Sequence, residues 1–180
     1  MSNTKRVKEL MIPLEDYPHI PYWFTLRQAM AIVREAAVKF EGTFEPRAVL
    51  VFDEKYQLMG ILTLRDIIRG LEPRFMQESG LIKADPNLAL LMGDLFGPGL
   101  KEASQKPVSE VMSPIKVTIS GSDSIAKAVF MMIQENVGMM PVVQDSKVAG
   151  MIRLSELFTE ISKLVLGERA ALPPPVNKKE

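Results

Sequence analysis

The run Gly60-Ile-Leu-Thr63-Leu-Arg65-Asp66 carries the most usable chemistry in this chain, because it reads as a strand that ends at a helix N-terminus. Free backbone N–H groups and the positive end of the helix dipole meet at such a junction and favour a phosphate or another anion. Asp66 adds two acceptor oxygens, and an ionised carboxylate can accept from both hydroxyls of a ribose. The same Thr63-x-x-Asp66 spacing is an ordinary capping pattern, and spacing alone favours the cap. Arg65 lies beside Asp66, where it can pair with the carboxylate, reach a phosphate or stay solvated.

Other chemistry is sparse. His19 is the single histidine and sits between two prolines, which reads as a loop residue; near a phosphate it would add pH sensitivity around neutrality. There is no Gly-x-x-x-x-Gly-Lys sequence, no metal-ligand cluster around His19 and no clear Ser, His and acid set, so nothing argues for an enzyme or a metal site. The 22 basic and 22 acidic side chains cancel, so no net field draws the chain to nucleic acid or to an anionic membrane. The absence of cysteine removes disulfides and thiolate chemistry. No secretory apolar region follows Met1 and no apolar run is long enough to span a bilayer, so the expectation is a soluble cytoplasmic protein.

The elements that must position these residues occur twice. Val7-Lys-Glu-Leu-Met11-Ile-Pro13 returns as Val108-Ser-Glu-Val-Met112-Ser-Pro114, Thr25-Leu-Arg-Gln-Ala29 matches Ser124-Ile-Ala-Lys-Ala128, and Gly60 to Asp66 matches Gly150 to Glu156. In the first copy Thr25 and Gln28 form a capping box for a helix running to about Phe40, followed by strands at 48–52 and 58–62 and a helix from near Thr63 that Gly70 should stop. The second copy repeats the order with strands at 117–119, 140–143 and 148–152. Its last helix carries Leu157, Phe158, Ile161, Leu164 and Val165 before Gly167, a stripe large enough for part of it to face a second subunit. Asp85-Pro86 starts a further helix through Phe96, read as packed over the repeats or as a partner-binding helix, and Leu172 to Glu180 reads as a disordered Pro-rich tail. Tyr22, Trp23 and Phe24 could wall a ligand pocket, but a core or dimer contact is the stronger reading. The twelve methionines mostly fall at core spacing.

With these motifs in order, each copy resembles a cystathionine-beta-synthase (CBS) motif and the pair resembles a tandem CBS, or Bateman, module. The resemblance implies an α+β fold of two CBS modules, each a small mixed β-sheet with two helices, packed into one pseudo-symmetric unit. The motifs would span residues 5–70 and 106–167, with a helical insert at 71–105 and a tail at 168–180. It also implies a homodimer of flattened, disk-like shape that binds AMP, ADP, ATP, NAD or S-adenosylmethionine as a non-catalytic sensor and passes the bound state to an effector protein. By the same resemblance Asp66 would take the ribose and Thr63 the ribose or phosphate, which reverses the preference for a plain cap. His19 and Ile20, matched to Thr118 and Ile119, would meet the base and phosphates. Arg47 would be a basic phosphate contact. The second copy departs from the pattern, with Arg153 for Thr63 and Glu156 for Asp66, so one good site per chain is expected and Arg153 reads as an exposed surface arginine. The alternative is a ligand-free dimerisation or interaction module in which Thr63 and Asp66 only cap a helix.

Overall fold

The computed structural model describes residues 5–39, 48–71 and 98–167. Arg47, the expected 85–96 helix and the Pro-rich tail lie outside the described residues. The chain divides into two compact units, a proximal one of Leu14–Lys116 and a distal one that joins Met1–Pro13 to Val117–Glu180. Among the described residues no helix is long and apolar enough to cross a membrane.

The proximal unit contains β2 (His19–Pro21), α2 (Leu26–Lys39), β3 (Ala48–Phe52), β4 (Leu58–Thr63), α3 (Leu64–Leu71), α4 (Pro98–Ala103) and β5 (Ser113–Pro114). Its sheet runs β2-β3-β4-β5, with β2 parallel to β3 and the other pairs antiparallel. The distal unit holds α1 (Val7–Leu10), β1 (Ile12–Pro13), β6 (Ile119–Ser120), α5 (Ile125–Gln134), β7 (Met139–Gln144), β8 (Lys147–Arg153) and α6 (Leu154–Leu166). Its sheet order is β1-β8-β7-β6, again with one parallel pair, β6 and β7. Each unit is therefore the small mixed sheet with helices that the repeat implied.

Local signals account for most boundaries. The Thr25 and Gln28 capping box forms reciprocally, with the Thr25 N–H donating to Gln28 Oε1 at 2.9 Å and the Gln28 N–H to Thr25 Oγ1 at 3.2 Å. Ser124 caps α5 through the Lys127 N–H. Gly167, at φ 71°, ends α6 in a conformation that suits glycine. Gly70 does not end α3, which continues to Leu71. It is buried within the helix, where a Cβ would come within 2.7 Å of Val111 Cγ1 and 2.8 Å of Leu26 Cδ1, so its role is close packing.

The two units exchange their leading segments. The Val-x-x-x-Met-x-Pro run that opens the first copy packs on the sheet built by the second, and the run that opens the second packs on the sheet of the first. Val7 is fully buried in the distal core and Val108 in the proximal one. Docking uses matched backbone bonds: Val7 N–H to Asp123 O and Lys8 N–H to Gly121 O in one unit, Val108 N–H to Phe24 O and Ser109 N–H to Tyr22 O in the other. Pro13 lies opposite Gly150 and Pro114 opposite Gly60, each proline on an edge strand where its missing N–H costs nothing. In the distal unit Lys5 bonds the largely buried Glu160 of α6 at 2.5 Å, and this bond holds the Glu160 carboxyl below the usual carboxylate range.

The repeated glycines exist for this contact. A Cβ on Gly60 would lie 2.7 Å from the Ser113 carbonyl oxygen and 2.9 Å from Met112 Sδ, and one on Gly150 would overlap the Ile12 carbonyl. Gly150→Ala should therefore lower the unfolding free energy by at least about 2 kcal/mol in urea titration. Gly138→Ala, where nothing lies within 4 Å of the added carbon, should be close to neutral. Equal effects from the two would rule out steric closure by the leader as the reason for Gly150.

Candidate functional site

β4 ends at Thr63 and α3 begins at Leu64 with no intervening loop, so the expected strand-to-helix junction is present. Thr63 is the N-cap and Asp66 the third helical residue, in a reciprocal capping box. The Thr63 N–H donates to Asp66 Oδ2 at 2.9 Å, and the Asp66 N–H donates back to Thr63 Oγ1 at 3.1 Å. The Thr63 hydroxyl also donates to Oδ2, at 2.8 Å. The other carboxylate oxygen, Oδ1, accepts from Arg69 Nη2 at 2.7 Å and from Ser113 Oγ at 3.0 Å. Asp66 is only 2% exposed, yet its charge is met by four donors, one of them a guanidinium.

Arg69 and Ser113 were not singled out from the sequence. Arg69 had a signal, since positions three apart on a helix face one another whereas adjacent ones do not. Arg65 is accordingly exposed, and among the described residues it makes no hydrogen bond or ion pair. Ser113 had none beyond its place in the repeated motif, because its contact depends on β5 lying against β4 with Ser113 opposite Ile61.

Strand alternation divides the remaining candidates. Ile20, Val49, Val51 and Leu62 all enter the proximal core, so the Ile20 side chain is unavailable to a ligand. His19, Leu50 and Thr63 occupy the opposite face, His19 opposite Leu50 and Thr63 opposite Ala48 across β3. His19 is not a loop residue but the first residue of β2, half-buried. Its Nδ1 lies 2.9 Å from the Tyr17 carbonyl, which can only accept, so Nδ1 carries a proton, and Nε2 pairs with the Tyr56 hydroxyl at 2.7 Å. Phe52 meets the His19 ring edge-on and stacks on Tyr56, so His19 is held two residues along β3 from Thr63 and is not bonded to it. Tyr22 and Phe24 pack against the proximal core and Trp23 is exposed.

At the matching junction of the distal unit, Arg153 binds Glu156 through Nε, 3.2 and 3.0 Å from its two oxygens, and through Nη2, and Ser155 Oγ adds a third donor. Arg153 is not an exposed surface side chain: only 12% of it is accessible. Ile12 of β1 occupies the place that Ser113 takes on β5, opposite Met151 where Ser113 is opposite Ile61. The leader-strand hydroxyl that Ser113 gives Asp66 therefore has no counterpart around Glu156.

Residues 7–73 and 108–163 match the family model of the CBS domain. The chain belongs to the CBS-domain family. Solved CBS structures share its fold. A CBS domain-containing protein of unknown function from Bacillus anthracis str. Ames Ancestor superposes with TM-score 0.63 at 20% identity, covering 88% of this chain and 94% of that one. CBSX2 in complex with AMP gives TM-score 0.60 at 16% identity over 89% and 98% of the two chains. The cytosolic domain of the Mg2+ channel MgtE in complex with ATP gives 0.58 at 18% identity, covering 88% of this chain and 49% of that one. No curated protein sequence matches the chain.

The CBS junction makes a stability claim of its own. Asp66→Ala removes a cap, the ion pair to Arg69 and the bond from Ser113, so it should cost about 2 kcal/mol in chemical denaturation, whereas Arg65→Ala should change stability by less than about 0.5 kcal/mol. Equal stabilities for the two variants would contradict the saturated carboxylate described above.

Proposed function

We propose that the chain is a cytoplasmic, non-catalytic sensor that binds one adenosyl ligand among AMP, ADP, ATP, NAD and S-adenosylmethionine at the Thr63–Asp66 junction and transmits occupancy to an effector protein. The observation that carries this reading is the junction itself. A buried carboxylate already satisfied largely by hydroxyl and amide donors sits at the N-terminus of α3, next to a half-exposed Thr63 and an Arg65 whose guanidinium has no described partner. The hydroxyl donors on this carboxylate are of the kind a ribose hydroxyl can replace, and the helix terminus with Arg65 is suited to a phosphate. The AMP and ATP complexes of CBSX2 and MgtE, which share the fold, agree in ligand class. With Arg153 closed onto Glu156, the stoichiometry is one ligand per chain.

Calorimetric titration with the five ligands tests this. Saturable binding of at least one, near one per chain and about tenfold weaker in Arg65→Ala for a phosphate-bearing ligand, is the expected result. No heat and no saturation with any of them would overturn it and leave a ligand-free interaction module.

We also propose that the sensor is a homodimer joined through α5 and α6. Phe130, Ile133, Phe158 and Leu164 are each more than 60% exposed, a cluster of large apolar side chains that burial in a second copy would satisfy. Phe158→Asp should convert the dimer to a monomer in sedimentation velocity. A wild-type chain that sediments as a monomer at micromolar concentration would exclude the dimer.

A further inference from the structure

We propose that Ser113 holds the place of a ligand hydroxyl on Asp66, so that a diol ligand displaces Ser113 and thereby loosens the edge strand β5. This inference rests on the adenosyl-ligand reading above. A carboxylate offers about four lone-pair directions. In Asp66 all are used, by Thr63 N–H, Thr63 Oγ1, Arg69 Nη2 and Ser113 Oγ. A ribose hydroxyl can donate to Asp66 only after one of these leaves.

The four donors differ in what their departure costs. The two from Thr63 belong to the capping box, and losing them opens the first turn of α3. Arg69 balances the charge of a side chain that is 3% accessible, and a buried carboxylate stripped of its cation is strongly destabilised. Ser113 is neutral, half-exposed and 47 residues away in sequence, and its 3.0 Å bond is the longest that the carboxylate accepts. Exchanging its hydroxyl for a ribose hydroxyl replaces one charge-assisted O–H bond with another of the same kind, which is the cheapest of the available exchanges.

Displacement has a mechanical consequence because β5 itself is short. The strand has two residues, one of them Pro114, which has no N–H to donate. It pairs only with Gly60 and Ile61 of β4. Releasing the Ser113 side chain loosens this edge, while Val108 stays docked through its bond to Phe24 and its burial in the proximal core. The distal unit has no such release, since Ile12 stands where Ser113 does. Ligand occupancy is thus read out at one leader segment and not at the other.

Titration of the full chain with AMP, comparing wild type, Ser113→Ala and Ser113→Thr, tests the inference. Ser113→Ala removes the competitor and should bind about fivefold tighter, while Ser113→Thr keeps a hydroxyl and should stay within about twofold of wild type. In wild type, saturating AMP should also raise amide exchange at Ser113. Binding by Ser113→Ala that is unchanged or weaker than wild type, with wild type still binding, would overturn the displacement and leave the sensor reading intact. A failure of AMP and the four other ligands to bind either protein would defeat both.

Discussion

Close approach of an edge strand to a position without a side chain is the constraint on which both units depend. Gly60 and Gly150 leave room for a carbonyl to pass where a Cβ would collide, and the passing strand belongs to the leader of the other repeat. Once that notch is filled, the valine four residues before the methionine reaches the core, and the proline completes the edge where no further N–H is required. Each sheet has three strands of its own and gains the fourth by exchange, so neither repeat, cut at its sequence boundaries, contains all the parts of its own core.

That arrangement also sets the character of the two strand-to-helix junctions. β5 brings a serine beside Asp66, whereas β1 brings an isoleucine to the equivalent place. With no leader hydroxyl available, Glu156 is neutralised from within its own helix start by Arg153. One carboxylate is therefore coordinated by groups drawn from two distant parts of the chain and the other by its own neighbours.

The repeat, the strand positions, the Thr25 capping box and the Gly167 stop were legible because each is a local signal whose energetics lie within a few residues. Gly70 misled because a glycine late in a helix reads as a terminator, when its real neighbours, Val111 and Leu26, are distant in sequence. The exchange of leaders could not be read for the same reason: equal copies of a motif fit either sheet, and the sequence does not say which. At the junction, Thr63 and Asp66 were visible from spacing, but the saturation of the carboxylate was not, since Ser113 reaches it only through strand pairing. His19 and Ile20 were matched correctly to a strand, yet alternation sends one to the core and the other to an aromatic cluster whose hub, Tyr56, sits at φ 60° in the turn between β3 and β4.

The leader exchange imposes an order on biosynthesis. Residues 5–13 leave the ribosome first, while the groups that receive them, among them Ser122 and Asp123, are made more than a hundred residues later. At ordinary translation rates that interval is on the order of ten seconds, long compared with the collapse of a small chain. The proximal unit, from Leu14 to Lys116, can close behind it, but Val7 and Ile12 must wait, unburied, for β6 to β8. A nascent chain can bury this apolar leader once β6 to β8 have been made, because the notch that receives it, Gly150, lies on β8.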